Sequence, residues 1–466
     1  MNNIVIKTFK TPRGNYVYDR ETNSIISVSK EDYEVLCRVE KGETLVQDFQ
    51  VLNRYREKGY FKNSKLEMIE HPENSRLEFY LESRIEQVTL QVTQNCNLRC
   101  AYCAYSGKYN QRSHTNKVMS FETMKRSVDF AIKHSYGIEK LNIGFYGGEP
   151  LLEIQNIKKI IKYIKQEYPG KKIDYTLTTN GTIFSEENIH FLMENNFKVM
   201  VSLDGPKELH DENRVFSNGI GSFDKIMGNL EYIRATYPQF FKDISFNTVV
   251  APKSDYKCIN DFFDAAEIID DNMLSRSTVS EYNIKDDVSY DDKFFITYGV
   301  QNLKILLSKI GLYDKEKISK LFTHDFLFTL RFYKELGNIS EFPIASHPGG
   351  PCIPGARRPM IDVDGNIYPC ERVSESSENM RIGNIQTGFD IEKVKKLLNV
   401  GKITENQCLK CWNFINCGLC AASADDLDEL SRKKRLSFCF DSKLNTLNKM
   451  KEICFLKEND YDFREE

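Results

Sequence analysis

The stretch QVTLQVTQNCNLRCAYC, residues 87–103, joins a predicted strand directly to three cysteines. Its first seven residues form the strand, and Cys96, Cys100 and Cys103 follow with C-x3-C-x2-C spacing. Three thiolates at this spacing would leave one iron of a 4Fe-4S cubane without a protein ligand, which is an open position for chemistry. The alternative from these residues is a zinc site that His114, nearby in sequence, would complete.

Around this stretch, β-rich runs alternate with amphipathic helical runs over residues 84–284. Five further strands are predicted, at residues 140–146, 173–179, 198–203, 244–250 and 278–282. Strands that alternate with helices are typical of βα units around a parallel sheet. Six such units predict an α/β fold, a partial (β/α)6 TIM-like barrel with its chemistry at the C-terminal ends of the strands.

Polar residues and glycines follow three of these strands. YGGEP stands at residues 146–150, TTNG at 178–181 and SLDG at 202–205, with Arg214 downstream of the last. Glycine lets a backbone approach a ligand closely, and a carboxylate can meet an ammonium group. A guanidinium can pair bidentately with a carboxylate. The strand ends therefore predict a binding site for a charged ligand beside the cysteines.

With these strand ends, the cysteine triad resembles that of the radical S-adenosylmethionine (SAM) superfamily. In that family, the methionyl part of the cofactor chelates the free iron, and an electron from the cluster cleaves the sulfonium to a 5'-deoxyadenosyl radical. The resemblance implies that Cys96, Cys100 and Cys103 are catalytic and hold a [4Fe-4S] cluster. The cofactor-binding residues that it implies are Tyr102, Gly147, Gly148, Glu149, Thr178, Asn180, Ser202 and Arg214. Asp204 and His210 are expected only to support their loop.

A second set of cysteines lies in residues 347–466, after a predicted helical connection at residues 285–346. It comprises Cys352, Cys370, Cys408, Cys411, Cys417, Cys420, Cys439 and Cys454. The spacing resembles the iron-sulfur SPASM domain, which carries two auxiliary [4Fe-4S] clusters. It departs from that pattern in the quartet, where only Gly418 and Leu419 separate the last two cysteines. Structural zinc is the alternative, because CxxC pairs also have zinc-ligand spacing.

The SPASM resemblance implies two sets of ligands. The distal set is Cys408, Cys411, Cys417 and Cys439, and the proximal set is Cys352, Cys370 and Cys420. Two readings of Cys454 remain open. Either it closes the proximal cluster as the eighth thiolate, or one proximal iron is open and could bind a substrate thiolate.

Residues 1–80 form a separate small unit. Strand-like runs at residues 15–19 and 24–28 precede helical stretches at 31–40 and 44–58. This order predicts a winged-helix-like module with a sheet edge available for pairing, as in the addition of a peptide strand. The module resembles a leader-peptide recognition element, and a plain capping subdomain is the alternative.

The whole chain then resembles a radical maturase of ribosomally made peptides. GGPCIPGARR at residues 349–358 and YPCER at 368–372 most resemble enzymes of the ranthipeptide and sactipeptide type, which join a cysteine sulfur to a carbon as a thioether. The implied partners are a leader-bearing, cysteine-containing precursor peptide and a flavodoxin- or ferredoxin-type reductant. Formylglycine formation, as in anaerobic sulfatase maturases, and carbon-carbon crosslinking are the enzymatic alternatives. A zinc-organised peptide-binding scaffold or an iron-sulfur electron carrier are the others.

Composition limits the remaining possibilities. The 466 residues carry 64 basic and 67 acidic side chains, a net charge of -3, so no basic field favours nucleic acid. No apolar stretch approaches the roughly 20 residues of a membrane span, and the N-terminus lacks a signal-peptide pattern. We therefore expect a cytoplasmic protein without a nucleic-acid or membrane partner. In that reducing compartment, 13 cysteines point to metal or redox chemistry rather than to disulfides.

Overall fold

The computed structural model describes residues 3–110, 112–266, 269, 274–285, 288–339, 341–350 and 352–465. The chain begins with a three-stranded antiparallel sheet, ordered β1 (Ile6–Lys10), β2 (Asn15–Asp19) and β3 (Ser24–Val28). Helices α1 (Lys30–Lys41) and α2 (Phe49–Glu57) follow and cover one face of it. We call residues 3–61 the N-terminal module. The strands and helices predicted here are confirmed, and β1 is an addition.

Local sequence explains the start of this module's first helix. The Ser29 side chain accepts a hydrogen bond from the backbone of Asp32, which satisfies one of the free N–H groups of the first turn of α1. Gly42 ends the helix in a left-handed conformation that glycine adopts without steric cost. A small core of Val17, Leu36 and Leu52 holds the helices on the sheet.

The central part of the chain is an α/β unit that follows β4 (Met68–Ile69) and α3 (Leu77–Ser83). Its parallel strands are β5 (Gln87–Thr93), β6 (Lys140–Gly147), β7 (Lys172–Thr179), β8 (Lys198–Ser202), β9 (Ser245–Val250) and β10 (Leu274–Thr278). The helices between them are α4 (Phe121–Lys133), α5 (Ile154–Glu167), α6 (Glu186–Glu194), α7 (Lys207–Asn213), α8 (Phe223–Thr236), α9 (Pro238–Lys242) and α10 (Tyr256–Ala265).

The strands lie side by side in chain order, so their C-terminal ends meet at one edge of the sheet. Apolar residues alternate with small and polar ones in β5, yet six of its seven residues are buried because both faces of the strand are covered. The α/β prediction is therefore confirmed. The prediction of the sixth strand was wrong by four residues, since β10 ends at Thr278, where the prediction has the strand begin.

Two long helices, α11 (Asp292–Lys309) and α12 (Phe326–Glu335), form the helical connection to the C-terminal part. The C-terminal elements are β11 (Ala345–Ser346), β12 (Met360–Ile361), β13 (Asn366–Tyr368), β14 (Gly383–Asn384), β15 (Gly388–Phe389), α13 (Ile391–Leu398), α14 (Glu405–Cys408), α15 (Arg432–Ser437) and α16 (Cys439–Lys457). Strand β11 pairs with β4 in parallel.

The C-terminal part shares the central sheet. Strand β12 pairs in parallel with β5, placing Met360 opposite Thr89, and β13, β14 and β15 continue the sheet to ten strands. The buried side chains of Met360 and Ile367 belong to the same apolar core as those of the central strands. Strands β12–β15 thus extend the apolar core of the central sheet beyond the edge of β5.

None of the helices that the structure describes is long and apolar enough to cross a membrane.

Candidate cofactor site and cysteine clusters

The cysteine triad lies on the loop after β5, and the end of β6 touches this loop. The backbone N–H groups of Gly148 and Glu149 donate to the carbonyls of Thr93 and Asn95, each at 2.9 Å. A Cβ atom on Gly147 would stand 2.1 Å from the Thr93 carbonyl oxygen, and one on Gly148 would stand 2.1 Å from that of Asn95. The two glycines thus permit contact with the cysteine loop, and their contact with a ligand stays a prediction.

The three thiols of the triad are close enough to influence one another. Burial raises the pKa of Cys96 to about 11 and that of Cys100 to about 12, and the charge of Cys103 raises both further. The Arg214 guanidinium lowers the pKa of Cys100 against this trend. Buried thiols of high pKa become thiolates when a metal replaces the proton. The donor set therefore fits a cluster with three protein ligands.

Within the described ranges, no three histidine, cysteine or acidic side chains are close enough to hold a metal ion as they stand. The assignment of Cys96, Cys100 and Cys103 as cluster ligands therefore stays a prediction.

Glu149 ties the ends of two strands together. Its buried carboxylate accepts hydrogen bonds from the backbone N–H groups of Asn180 at 2.7 Å and Leu151 at 3.0 Å, and from the Thr179 hydroxyl at 2.8 Å. Burial raises the pKa of Glu149 to about 7, although these hydrogen bonds lower it. Glu149 therefore binds the backbone just after β7 and the turn that follows β6, and its contact with a ligand amino group stays a prediction.

Asn180 connects the third strand end to the cysteine loop. Its Nδ2 donates to Asn97 Oδ1 at 2.8 Å and lies 3.8 Å from Cys96 Sγ. Thr178 lies two residues earlier and, by strand alternation, on the same side of β7. The sequence analysis did not predict Asn97 or Thr179 as site residues. Both are adjacent in sequence to predicted site residues, Cys96 and Asn180, and this adjacency could have identified them.

Arg214 lies at the fourth strand end beside Tyr102 and Asp204. Its Nε donates to Asp204 Oδ2 at 2.9 Å and to the Tyr102 hydroxyl at 2.6 Å, and its Nη1 lies 3.9 Å from Cys100 Sγ. The Tyr102 hydroxyl also donates to Asp204. Burial lowers the pKa of the Arg214 guanidinium. The negative charges of Asp204 and Tyr102 raise this pKa by more, so the net shift is upward. Ser202, the last residue of β8, is buried at the same edge.

We predicted from the sequence that Asp204 and His210 only support their loop. His210 Nδ1 accepts a hydrogen bond from the backbone of Asp204 at 3.3 Å, and its Nε2 lies 3.0 Å from the Ser222 hydroxyl. Burial lowers the pKa of His210 to about 4, so it is a neutral residue of the turn. Asp204 does more than support the turn, because it is the counter-charge of Arg214.

The four cysteines of the expected distal set lie near one another. The charge of Cys417 raises the pKa of Cys408, Cys411 and Cys439, after burial as the main cause. Cys408 also responds to Cys439 and lies 3.2 Å from the Thr404 hydroxyl. These effects place the four thiols in one region of the structure, and their assignment as ligands of a distal cluster stays a prediction.

In the expected proximal set, Cys420 lies near enough to influence both Cys352 and Cys370. Burial raises the pKa of Cys352 and of Cys370, and the charge of Cys420 raises both. Arg358 lowers the pKa of both thiols. Two of the three cysteines thus face a guanidinium, which favours their ionised form.

Cys454 does not join the proximal set. The Cys420 carbonyl accepts a hydrogen bond from Arg435, four residues before the start of α16, whereas Cys454 lies near the end of that helix. Fifteen residues separate Cys439 from Cys454 on α16, about 22 Å at 1.5 Å per residue. Cys454 is instead buried against Phe9 and Tyr18 of the N-terminal module. The structure therefore favours the second reading, in which Cys454 is not a ligand of the proximal cluster.

Comparison with known proteins supports the identity of the central part. The sequence profile of the radical SAM superfamily matches residues 90–266. A cysteine-type anaerobic sulfatase-maturating enzyme of Clostridium novyi is 29% identical over 301 residues, 60% of this chain and 71% of the relative. The corresponding enzyme of Clostridium perfringens strain 13 is 26% identical and covers 77% of this chain and 97% of the relative.

Two further similarities extend over most of the chain. The radical SAM cyclopropyl synthase TigE of Paramaledivibacter caminithermalis is 24% identical and covers 86% of this chain and 85% of the relative. The structure of native anSMEcpe with bound AdoMet has the same fold, with a TM-score of 0.54 at 23% identity, over 78% of this chain and 99% of that one. Residues 90–266 of this chain are therefore a radical SAM domain.

Proposed function

We propose that this chain is a radical SAM maturase that installs thioether crosslinks, from cysteine sulfur to carbon, in a leader-bearing precursor peptide. The observation that carries the proposal is the meeting of the strand ends at the cysteine triad. Asn180 contacts Cys96, Arg214 contacts Cys100, and Glu149 is hydrogen-bonded to the loop that holds them. A [4Fe-4S] cluster and S-adenosylmethionine, when bound there, would supply the abstraction of a hydrogen atom.

The chain's own residues would hold this cofactor by charge and shape. Arg214, fixed by Asp204 and Tyr102, keeps Nη2 free of those two partners for the methionyl carboxylate. Glu149 provides negative charge for the amino group, and Asn180 and Thr178 provide polar groups for the ribose. The six parallel strands act in this proposal as a partial barrel whose missing strands admit a polypeptide.

The C-terminal cysteines would hold two auxiliary [4Fe-4S] clusters, as in a SPASM domain. The distal cluster would have four protein ligands, and the proximal one only Cys352, Cys370 and Cys420. If Cys454 is not a ligand, one proximal iron would be left without a cysteine from this chain. This open iron would bind the substrate cysteine as a thiolate, and Arg357 and Arg358 nearby favour that charge.

The N-terminal module would recognise the leader. No strand among the described residues pairs with the outer edge of β3, and a cavity of about 610 Å³ runs beside Ser24, Ile25 and Ser27. A leader strand added to this edge would gain main-chain hydrogen bonds. About 22% of this chain has no counterpart in the anSMEcpe structure, which suits an added recognition unit.

A flavodoxin- or ferredoxin-type protein would deliver the electrons in the cytoplasm.

Formylglycine formation is the second candidate, because the two Clostridium relatives are cysteine-type sulfatase-maturating enzymes. Product mass separates the candidates. A crosslink removes two hydrogens from the peptide, whereas formylglycine formation both replaces the cysteine sulfur by oxygen and removes two hydrogens. Alkylation with iodoacetamide then separates a thioether, which leaves no thiol, from a carbon-carbon crosslink.

The first experiment measures 5'-deoxyadenosine. Protein reconstituted anaerobically with iron and sulfide is mixed with S-adenosylmethionine and dithionite, for the native chain, Cys103→Ala and Cys258→Ala. Cys258 is exposed and lies outside all three cysteine sets, which makes it the matched control. We expect product from the native chain and the control and none from Cys103→Ala. Equal product from Cys103→Ala would refute the catalytic role of the cysteine triad. Zinc in place of iron would refute the assignment of iron-sulfur clusters.

A further inference from the structure

Arg112 is a buried arginine on the segment that follows the cysteine triad. Its side chain is only 1% exposed, and its Nε lies 2.6 Å from Glu375 Oε1. Its Nη2 donates to the backbone carbonyls of Glu371 at 2.6 Å and Val373 at 3.2 Å. The guanidinium is therefore fixed in place by the loop that follows the proximal cysteine Cys370.

Glu375 is the counter-charge of Arg112 and is itself held by the central sheet. Its Oε1 also accepts a hydrogen bond from Gln91 Nε2 at 2.6 Å, and Gln91 is a fully buried residue of β5. Burial raises the pKa of Glu375, whereas the charge of Arg112 lowers it. Arg112 and Glu375 thus form a buried ion pair, in which loss of either partner leaves the other charge without compensation.

The Arg112 guanidinium lies over two aromatic rings beside the cysteine triad. Its Cζ is 5.6 Å from the ring centroid of Tyr105 and 5.9 Å from that of Tyr146. The backbone N–H of Tyr105 donates to Cys103 Sγ at 3.4 Å. Burial raises the pKa of Cys103, whereas this N–H lowers it. The charges of Arg214 and Arg112 also lower it, so the charge of Arg112 acts on a thiol of the triad.

Arg112 differs from Arg214, the other cation that acts on Cys103. Arg214 pairs with Asp204 and, in the proposed function, binds the carboxylate of the cofactor. Arg112 is held by protein groups, namely two carbonyls, one carboxylate and the faces of two rings. Its charge is therefore present beside the triad before the cofactor binds and after it leaves.

We propose that the buried charge of Arg112 raises the reduction potential of the iron-sulfur cluster held by Cys96, Cys100 and Cys103. This inference rests on the proposed function, in which that cluster accepts one electron from a flavodoxin- or ferredoxin-type protein. The reduction potential of an iron-sulfur cluster depends on net charge and hydrogen bonds around it. A charge acts more strongly in a buried, low-dielectric interior than in water. Arg112 therefore makes the cluster easier to reduce, and Glu375 makes it harder.

The two halves of the ion pair should have opposite effects. Arg112→Met removes the positive charge and keeps most of the side-chain bulk, so the reduction potential should become more negative. Glu375→Gln removes the negative charge and keeps an oxygen for the hydrogen bond from Gln91, so the potential should become more positive. Disturbed packing alone gives no reason for two shifts of opposite sign.

Arg112→Lys separates the charge from the contacts. Lysine keeps the positive charge but lacks the planar fork that reaches several acceptors at once. The potential of Arg112→Lys should therefore stay closer to the native value than that of Arg112→Met. Hydrogen exchange of the backbone in residues 371–375 should become faster in both variants, because both lose the forked contact with the Glu371 and Val373 carbonyls.

The experiment is an anaerobic redox titration of the reconstituted full chain, followed by electron paramagnetic resonance. The signal that Cys103→Ala lacks identifies the triad cluster. Arg276→Met and Asp325→Asn are the matched controls. Arg276 and Asp325 form a similar ion pair, 2.7 Å long with side chains 14% and 16% exposed, and Arg276 lies on β10, at the other edge of the parallel strands from β5.

We expect Arg112→Met and Glu375→Gln to change the ratio of reduced to oxidised triad cluster, at a fixed potential, in opposite directions. Each change should be at least about threefold, which is about 28 mV for a one-electron couple. The two controls should leave the ratio unchanged. Shifts of the same sign, no shift, or a shift in Arg112→Lys as large as in Arg112→Met would overturn the proposal.

Two further outcomes have separate meanings. If Arg112→Met does not fold, the sign of the shift in Glu375→Gln decides alone. A native chain with the same signals as Cys103→Ala would refute the proposed function and this inference with it. A triad cluster whose potential does not respond to the ion pair would refute this inference and leave the proposed function standing.

Discussion

Arg214 and Asp204 form a buried ion pair, with Nε and Oδ2 2.9 Å apart and side chains only 8% and 3% exposed. The second oxygen of Asp204 accepts the backbone N–H of Val249 at 3.1 Å. The pair therefore joins the loop after β8 to strand β9 and fixes which N–H groups of the guanidinium point towards Cys100. Asp204 and Arg214 thus depend on each other for their orientation.

Asp204→Asn should strongly destabilise the protein. The change keeps the side-chain size but leaves the Arg214 guanidinium buried without a counter-charge, which costs about 3–5 kcal/mol. Anaerobic urea unfolding of the reconstituted protein measures this loss. Asp224→Asn is the control, because Asp224 pairs with Lys207 at the surface and its loss should not change the midpoint measurably. Equal losses in the two variants would contradict the role of burial.

Iron content should separate Cys454 from Cys420. Cys454→Ala removes a thiol packed against Phe9 and Met450, so all iron should remain and only about 1 kcal/mol of stability should be lost. Cys420→Ala removes a thiol whose charge raises the pKa of Cys352 and Cys370, so the proximal cluster should be lost or altered. Iron analysis and electron paramagnetic resonance of the reduced proteins check both. Loss of iron from Cys454→Ala would restore it as a ligand.

The cysteine triad could be predicted because its signal is local. Cys96, Cys100 and Cys103 lie within one loop, so spacing alone brings them together. Cys454 could not be placed in this way, since its position depends on the length and direction of α16. The pairing of β12 with β5 joins residues more than 250 positions apart, and two-residue strands carry almost no periodicity. The positions of the residues at the strand ends were therefore predictable, and long-range assembly was not.

Arg20 should hold the N-terminal module on the distal cysteine loop. Its fully buried guanidinium donates to the Leu409 carbonyl at 2.7 Å and pairs with Glu21 at 2.6 Å. Arg20→Met should cost about 3–5 kcal/mol, because it leaves the Glu21 carboxylate buried without a partner. Urea unfolding measures the loss, and hydrogen exchange should show faster exchange in residues 6–28.

A double variant separates charge from packing at this contact. Arg20→Met combined with Glu21→Leu removes both charges, so it should recover part of the stability that the single change loses. A double variant less stable than Arg20→Met would show that Glu21 contributes through other contacts.

Glu149 should make stability depend on pH. Burial raises its pKa from 4.5 to about 7, so between these values the folded protein keeps a proton that the unfolded chain has released. Stability therefore falls as pH rises through this range, by on the order of 3 kcal/mol. The difference in unfolding free energy between the native chain and Glu149→Gln, at about pH 5 and about pH 7.5, measures the effect. A native chain that gains on the variant with rising pH would contradict it.

Gly147→Ala should disrupt the cysteine loop. Gly147 has a φ of 137°, which is strained for a residue with a Cβ atom, and that atom would stand 2.1 Å from the Thr93 carbonyl oxygen. Backbone must move to relieve this contact, and we expect a loss of at least about 3 kcal/mol together with lower iron content of the triad. Gly170→Ala is the control, because a Cβ there meets no atom within 4 Å. It should leave both iron content and unfolding midpoint unchanged, and the same result for Gly147→Ala would mean that the end of β6 can separate from the loop without cost.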